Sequence, residues 1–284
     1  MNYKKWFENN TKDLTGKVVA ITGSTGGLGE QVCFHLASLG ANFIFLNRNL
    51  DKSKSLEEKI REKFSSCQIE HIQVDMEDRN SVKDCSFALA DRNVDVLILN
   101  AGTYKIPRKR VGEFDNIFQI NFLSPYTLAK KCLETNNEVK IVAVGSIAHK
   151  GVRLNEKDIA LLNCKKDVKL YGNAKRFLMF SLHELMKGES VAIAHPGITF
   201  TNITSHYPKF LVPIIKFFMK IIFSSTKKAS LSIVKGVFDD CEYGSWIGPR
   251  VFDIWGKPKH KKLKTFCKEE AEKMFKIANE KADI

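Results

Sequence analysis

Apolar residues along the first two hundred positions follow two alternating rhythms. Short runs rich in Val and Ile, bounded by Gly, Asn or Asp, occur at 18–22, 42–47, 68–75, 94–100, 140–144 and 191–195. Such runs predict strands. Between them, apolar positions recur at helical spacing. The pattern predicts helices at 27–39 (stopping at Gly40), 50–65, 80–91, 113–135 and 170–186 (stopping before Gly188). Pro125 predicts a kink in the fourth. Strand–helix alternation repeated this often predicts parallel βαβ units, and hence a doubly wound α/β sheet with helices on both faces. Sheets of this kind bind ligands at the carboxyl ends of their strands, near the topological switch point.

Composition narrows the class. The chain has 284 residues, 44% hydrophobic and 27% charged, which excludes a disordered chain. With no repeat or linker, residues 1–284 read as a single domain. No apolar run reaches the roughly 18 residues a membrane-spanning helix needs. Met1–Glu8 lacks the apolar core of a secretion signal. Seven cysteines, odd in number and widely spaced, suit a reducing compartment, so the expected location is cytoplasmic. No His/Cys spacing suggests a metal site. The charge is 45 − 32 = +13, but only nine of the 45 cations are Arg. Scattered Lys reads first as a solvated surface, and no motif supports nucleic-acid binding.

The strongest local signal is Thr22-Gly23-Ser24-Thr25-Gly26-Gly27-Leu28-Gly29, which follows the first strand and opens the first helix. Glycines let a backbone turn sharply and approach a pyrophosphate, and helix N-terminal N–H groups then face the phosphates. The second strand ends in Asn47-Arg48. An acid there would hold the ribose hydroxyls of NAD. Its absence, with Arg48 adjacent, favours the 2′-phosphate of NADPH over NADH. Further along, Tyr171 and Lys175 lie four apart on one helical face. A nearby ammonium is expected to lower the Tyr171 pKa, so that its phenol can exchange a proton with a carbonyl or alcohol oxygen. Ser146, just after the fifth strand, could hold that oxygen. Asn121 is a poor mid-helix residue, so it reads as a buried functional amide or as a locally solvated one.

The order Thr-Gly-x-x-x-Gly-x-Gly, then Asn121, Ser146, Tyr171 and Lys175, resembles the short-chain dehydrogenase/reductase family. That resemblance implies an Asn–Ser–Tyr–Lys catalytic tetrad, with Asn121 holding a relay water and Lys175 also binding the nicotinamide ribose. It implies a cofactor site of Gly23, Ser24, Thr25, Gly27, Leu28, Gly29, Asn47, Arg48, Asp75, Met76, Asn100, Ala101, Gly102, Tyr171, Lys175, Pro196, Gly197, Ile198 and Thr201. Asp75-Met76 matches the adenine-contacting pair, and Asn100-Ala101-Gly102 matches Asn-Asn-Ala-Gly with Leu99 in the first place. Pro196-Gly197 opens the Pro-Gly-x-x-x-Thr that meets the carboxamide. The expected function is an NADPH-dependent oxidoreductase. The alternative is a dinucleotide-binding regulator or scaffold with vestigial activity.

Ser146 and Tyr171 stand 25 positions apart. The segment between them, with His149 and Arg153, is expected to form a wall of the pocket, His149 lying in solvent or touching substrate. Residues 210–223 are intensely apolar. They read as a substrate lid (about 204–225), an oligomer or core contact, or a helix in a membrane interface. The wide spacing, the His-Pro-Gly turn and Ile254-Trp255-Gly256-Lys257-Pro258 resemble the retinol-dehydrogenase and WW-domain-oxidoreductase branch. The implied substrate is a lipophilic ketone, aldehyde, sterol or retinoid-like alcohol. Peripheral membrane contact and homo-oligomerisation both stay open. Residues 257–284 read as a basic helical tail, with Lys259-His260-Lys261-Lys262 as a solvated turn.

Overall fold

The computed structural model describes residues 3–187, 190–197 and 225–282. The strands are β1 (Val18–Thr22), β2 (Asn42–Asn47), β3 (Ile69–Gln73), β4 (Val96–Leu99), β5 (Arg110–Val111), β6 (Phe114–Asp115), β7 (Lys140–Val144), β8 (Val191–Ala194), β9 (Ser245–Val251) and β10 (Trp255–Lys262). Eight form one sheet in the order β10-β9-β8-β7-β4-β1-β2-β3. All its neighbours are parallel except β9 and β10. The order reverses between β1 and β4, which places the switch point there.

The helices are α1 (Tyr3–Asn10), α2 (Gly27–Ala37), α3 (Leu50–Arg61), α4 (Arg79–Ala90), α5 (Asn116–Phe118), α6 (Ser124–Thr135), α7 (Asp167–Met186), α8 (Thr226–Ala229), α9 (Leu231–Phe238) and α10 (Lys268–Lys281). They cover both faces of the sheet. Alternate strand residues explain the division. Val19, Ile21, Phe43, Phe45, Ile98 and Val142 pack with α2, α3 and α9. Ala20, Leu97, Leu99, Ile141, Ala143 and Ile193 pack with α4, α6, α7 and α10. Caps fix two of the helix starts, for Asn49 accepts from the Lys52 amide and Asp78 from those of Asn80 and Ser81.

Two stretches differ from the sequence reading. The long helix expected over 113–135 is broken. It begins as a strand (β6), and residues Gln119–Leu123 form a π-turn before α6. Pro125 stands in the first turn of α6, where it brings no N–H to the carbonyl four residues back, that of Asn121. The basic cluster Lys259–Lys262 is no solvated turn. It is the edge strand β10, hydrogen-bonded to β9, so only the end of the tail is helical. Lys and Pro on an edge strand blunt strand-to-strand aggregation, which is why the segment resembles a loop in sequence. The lid expected at 204–225 lies, but for Ser225, outside the described residues, as do Ile198 and Thr201.

Candidate active site

The loop after β1 is shaped by close approach. Gly23 has φ +66°, and a Cβ there would lie 3.0 Å from Ala101 Cα. A Cβ on Gly29 would lie 2.5 Å from the Gly23 carbonyl oxygen and 2.8 Å from Asn100 Nδ2. Asn100 Nδ2 donates to the carbonyls of Thr22 (3.0 Å) and Gly23 (2.9 Å). Thr22 Oγ1 accepts from the amides of Asn100 (3.0 Å) and Ala101 (2.9 Å). The ends of β1 and β4 are thereby stapled across the switch point. No side chain caps the N-terminus of α2, so its first amides stay available to an anion. This glycine cradle fits a dinucleotide pyrophosphate.

At the end of β2, Asn47 Nδ2 donates to Ser24 Oγ (2.7 Å) and Ser53 Oγ (2.8 Å). Ser53 meets His71 Nδ1 at 2.8 Å, and His71 Nε2 meets Glu57 at 2.7 Å. Asn47 is therefore a buried brace for the loop. Arg48 projects outward, its side chain 72% exposed and 3.8 Å from the Asp75 carboxylate. Asp75 Oδ1 accepts from the Glu77 amide, and the Met76 carbonyl accepts from Ser124 Oγ at 2.6 Å. Thr25 lies in the loop after β1 and Leu28 in the first turn of α2, both partly exposed.

The four chemistry-bearing residues form a chain of neighbours, Asn121 and Lys175 beside Gly102, Tyr171 next to Lys175, and Ser146 next to Tyr171. A Cβ on Gly102 would lie 2.9 Å from Asn121 Oδ1 and 3.5 Å from Lys175 Nζ. Asn121 is fully buried in the π-turn. Its Oδ1 accepts from the Thr103 amide (3.0 Å), and its Nδ2 donates to the carbonyls of Thr103 (2.9 Å) and Ile117 (2.8 Å). The buried reading of Asn121 therefore holds over the solvated one. With its side chain fully engaged, its main-chain carbonyl is the group Pro125 leaves without an α-helical partner.

Lys175 is buried, and its Nζ donates to the Val144 carbonyl at 2.9 Å. Burial pushes its pKa down to about 8. Tyr171 hydrogen-bonds the Ser146 side chain. Here one expectation is corrected. Burial raises the Tyr171 pKa, and the Ser146 bond only partly offsets it. Lys175 Nζ stands 5.9 Å from the centre of the Tyr171 ring and does not lower it. The phenol thus holds its proton at neutral pH, ready to donate it. Tyr104 meets the Tyr171 ring edge-on at 5.5 Å.

Sequence reasoning misplaced His149. It is fully buried, neither solvated nor at a substrate surface. Its Nδ1 lies 2.6 Å from the Ser146 carbonyl and its Nε2 2.8 Å from Thr265 Oγ1. Arg176, next to Lys175, carries no signal in the sequence that marks it as buried. It is fully buried, donates to both Glu270 oxygens (Nε at 2.8 Å) and gives Thr265 O a bond at 3.0 Å. Glu270 Oε1 also accepts from the Leu154 amide at 2.8 Å. The Ser146–Tyr171 insertion is thus clamped by the C-terminal helix, with Arg153 exposed at its edge, 3.8 Å from Glu270. His195 stacks on Trp246 (centroids 5.0 Å, planes 7° apart) and meets the Asp253 carbonyl at 3.1 Å. It holds the Pro196-Gly197 turn against β9.

With the geometry in place, the comparisons decide the family. The short chain dehydrogenase profile matches residues 17–155. The chain belongs to the short-chain dehydrogenase/reductase family. Human polyprenol dehydrogenase is 27% identical over 207 residues, 67% of this chain and 63% of that protein. Human retinol dehydrogenase 12 is 25% identical over 259 residues, 84% of this chain and 81% of that one. The crystal structure of an uncharacterized protein from Mycobacterium paratuberculosis superposes with TM-score 0.75 at 21% identity, covering 96% of each chain. It shares the fold. The short-chain dehydrogenase/reductase assignment makes this chain an oxidoreductase of alcohol and carbonyl groups with a nicotinamide cofactor, and bears out the resemblance to the retinol-dehydrogenase branch. Among the described residues no helix is long and apolar enough to cross a membrane.

Proposed function

We propose that the protein is an NADPH-dependent reductase or dehydrogenase of a lipophilic carbonyl or alcohol. The observation that carries this reading is the run of neighbours from Asn121 and Lys175, beside Gly102, through Tyr171 to Ser146, next to a glycine cradle. Bound nicotinamide supplies or accepts the hydride. Ser146 holds the substrate oxygen through its hydroxyl, and Tyr171 gives that oxygen a proton in reduction or takes one in oxidation. Lys175, charged below about pH 8, binds the cofactor ribose and refills the proton through Asn121. The cofactor set is Gly23, Ser24, Thr25, Gly27, Leu28 and Gly29 at the phosphates, with Asn47 bracing Ser24. Asp75 and Met76 meet the adenine, Asn100, Ala101 and Gly102 line the floor, and Pro196 and Gly197 meet the carboxamide, continued by Ile198 and Thr201.

Arg48 supports the choice of phosphorylated cofactor, because its guanidinium is exposed and Asp75 is the only acid in ion-pair range among the described residues. A lipophilic substrate is supported by the relatives named for polyprenol and retinol. The test is a fluorescence titration with NADPH and NADH. NADPH should bind at least tenfold tighter, and Arg48→Ala should erase most of that difference while leaving NADH affinity unchanged. Equal affinities in the parent protein would refute the NADPH preference.

A further inference from the structure

The hairpin that closes the sheet carries a feature the catalytic reading leaves unused. Between β9 and β10, Phe252 is 81% exposed, the highest value for a large hydrophobic among the described residues. Val251 and Trp255 flank it at 42% and 40%. Phe252 and Asp253 both have positive φ, +49° and +61°. That region is costly for a bulky side chain and persists only where surroundings enforce it. Here they do. The Asp253 carbonyl meets His195, and its carboxylate takes Lys150 at 2.8 Å and also Lys261. Lys261 donates as well to the Pro249 carbonyl at 3.1 Å. A strained turn, tied at several points, keeps a phenyl ring in water.

The ring itself lines a cavity of about 610 Å³, together with Trp246 and the cations Lys150, Arg250, Lys261, Lys262 and Lys264. Asp253 is the one acid in that lining among the described residues, and it engages Lys150 and Lys261. Arg250, Lys262 and Lys264 remain to face an outside anion.

We propose that this hairpin docks the protein on an anionic phospholipid surface. Phe252 enters the boundary between headgroups and acyl chains, and the surrounding cations meet the headgroups. An apolar tip within a cationic collar matches that surface in both polarity and charge. A second copy of the chain fits poorly, since the collar would face its own sign and the Lys- and Pro-bearing edge of β10 resists strand pairing. A free phosphate would leave Phe252 without a role. The hairpin also abuts the active-site loop, because a Cβ on Gly197 would lie 2.9 Å from the Ile254 carbonyl oxygen. Docking would thus bring the proposed site to its lipophilic substrate. That consequence rests on the functional reading, whereas the docking does not.

The test is sedimentation of the full chain with phosphatidylcholine vesicles, with and without phosphatidylserine. Pelleting should require phosphatidylserine and fade with salt. Phe252→Ser should weaken it roughly tenfold. Lys262→Gln and Lys264→Gln should each weaken it roughly fivefold. Unchanged circular dichroism and NADPH affinity in these variants separate the surface from the site. Absence of pelleting, pelleting unchanged by the variants, or a dimer that Phe252→Ser dissolves would each overturn the proposal.

Discussion

His149 and His195 flank Trp246, one edge-on at 5.4 Å and one stacked, and together they tie Ser146 and Pro196-Gly197 to the sheet. Burial pushes both pKa values down to about 4 from the ordinary 6.5. Both rings are therefore neutral at neutral pH, because burial outweighs their bonds to carbonyls, which favour the charged form. The unfolded chain takes up these protons first as the pH falls. Their contribution to stability is complete above pH 6.5 and is lost as the pH drops through 4. The slope is about 1.4 kcal/mol per pH unit for each group, as an upper bound. Urea unfolding should show the midpoint falling between pH 6.5 and 4.5, and His195→Gln should flatten that fall. A midpoint flat over this range, or a fall His195→Gln leaves unchanged, would count against the two rings as the cause. Neither role is legible in the sequence. A histidine beside a lysine, as His149 is, or before a Pro-Gly turn, as His195 is, looks solvated, and only the fold reveals the Trp each packs on.

At the scale of elements, legibility tracks how local the cause is. The ends of β1 and β7 follow from runs of Val and Ile, and those of β2 from Phe, Ile and Leu, with glycine or asparagine at their borders. The glycine turn is equally local, because its spacing is its geometry. The π-turn is half legible. Pro125 announces a break, but a break and a widened turn look alike in sequence. β9 and β10 are illegible for a different reason. β9 is buried over its first five residues but is interrupted by Gly248 and Pro249, while β10 is half solvent-facing and carries Lys where apolar residues would have signalled a strand. The clamp from α7 to α10 is the most remote case, with Arg176 and Glu270 94 positions apart. Arg176→Met should destabilise the protein by about 3 kcal/mol, since it leaves the Glu270 carboxylate buried without its partner. Thermal and urea melts would measure this. Glu270→Gln added to Arg176→Met should recover part of the loss. A neutral Arg176→Met variant would show that the clamp contributes nothing net.

For the molecule as a whole, the sheet order explains why residues scattered from Thr22 to Gly197 share one edge. Every parallel strand ends there, and the reversal between β1 and β4 opens the crevice. A cluster of the basic charge gathers at one end of the sheet order, around the β9–β10 hairpin. The central claim is that this crevice moves a proton through Tyr171 while the cofactor moves a hydride. The most direct measurement is turnover of a lipophilic carbonyl by Tyr171→Phe, with NADPH binding followed on the same sample. The variant should bind NADPH as the parent does and lose turnover by roughly a thousandfold, the usual span for a removed general acid. Turnover within a few-fold of the parent, with the cofactor bound, would contradict the account.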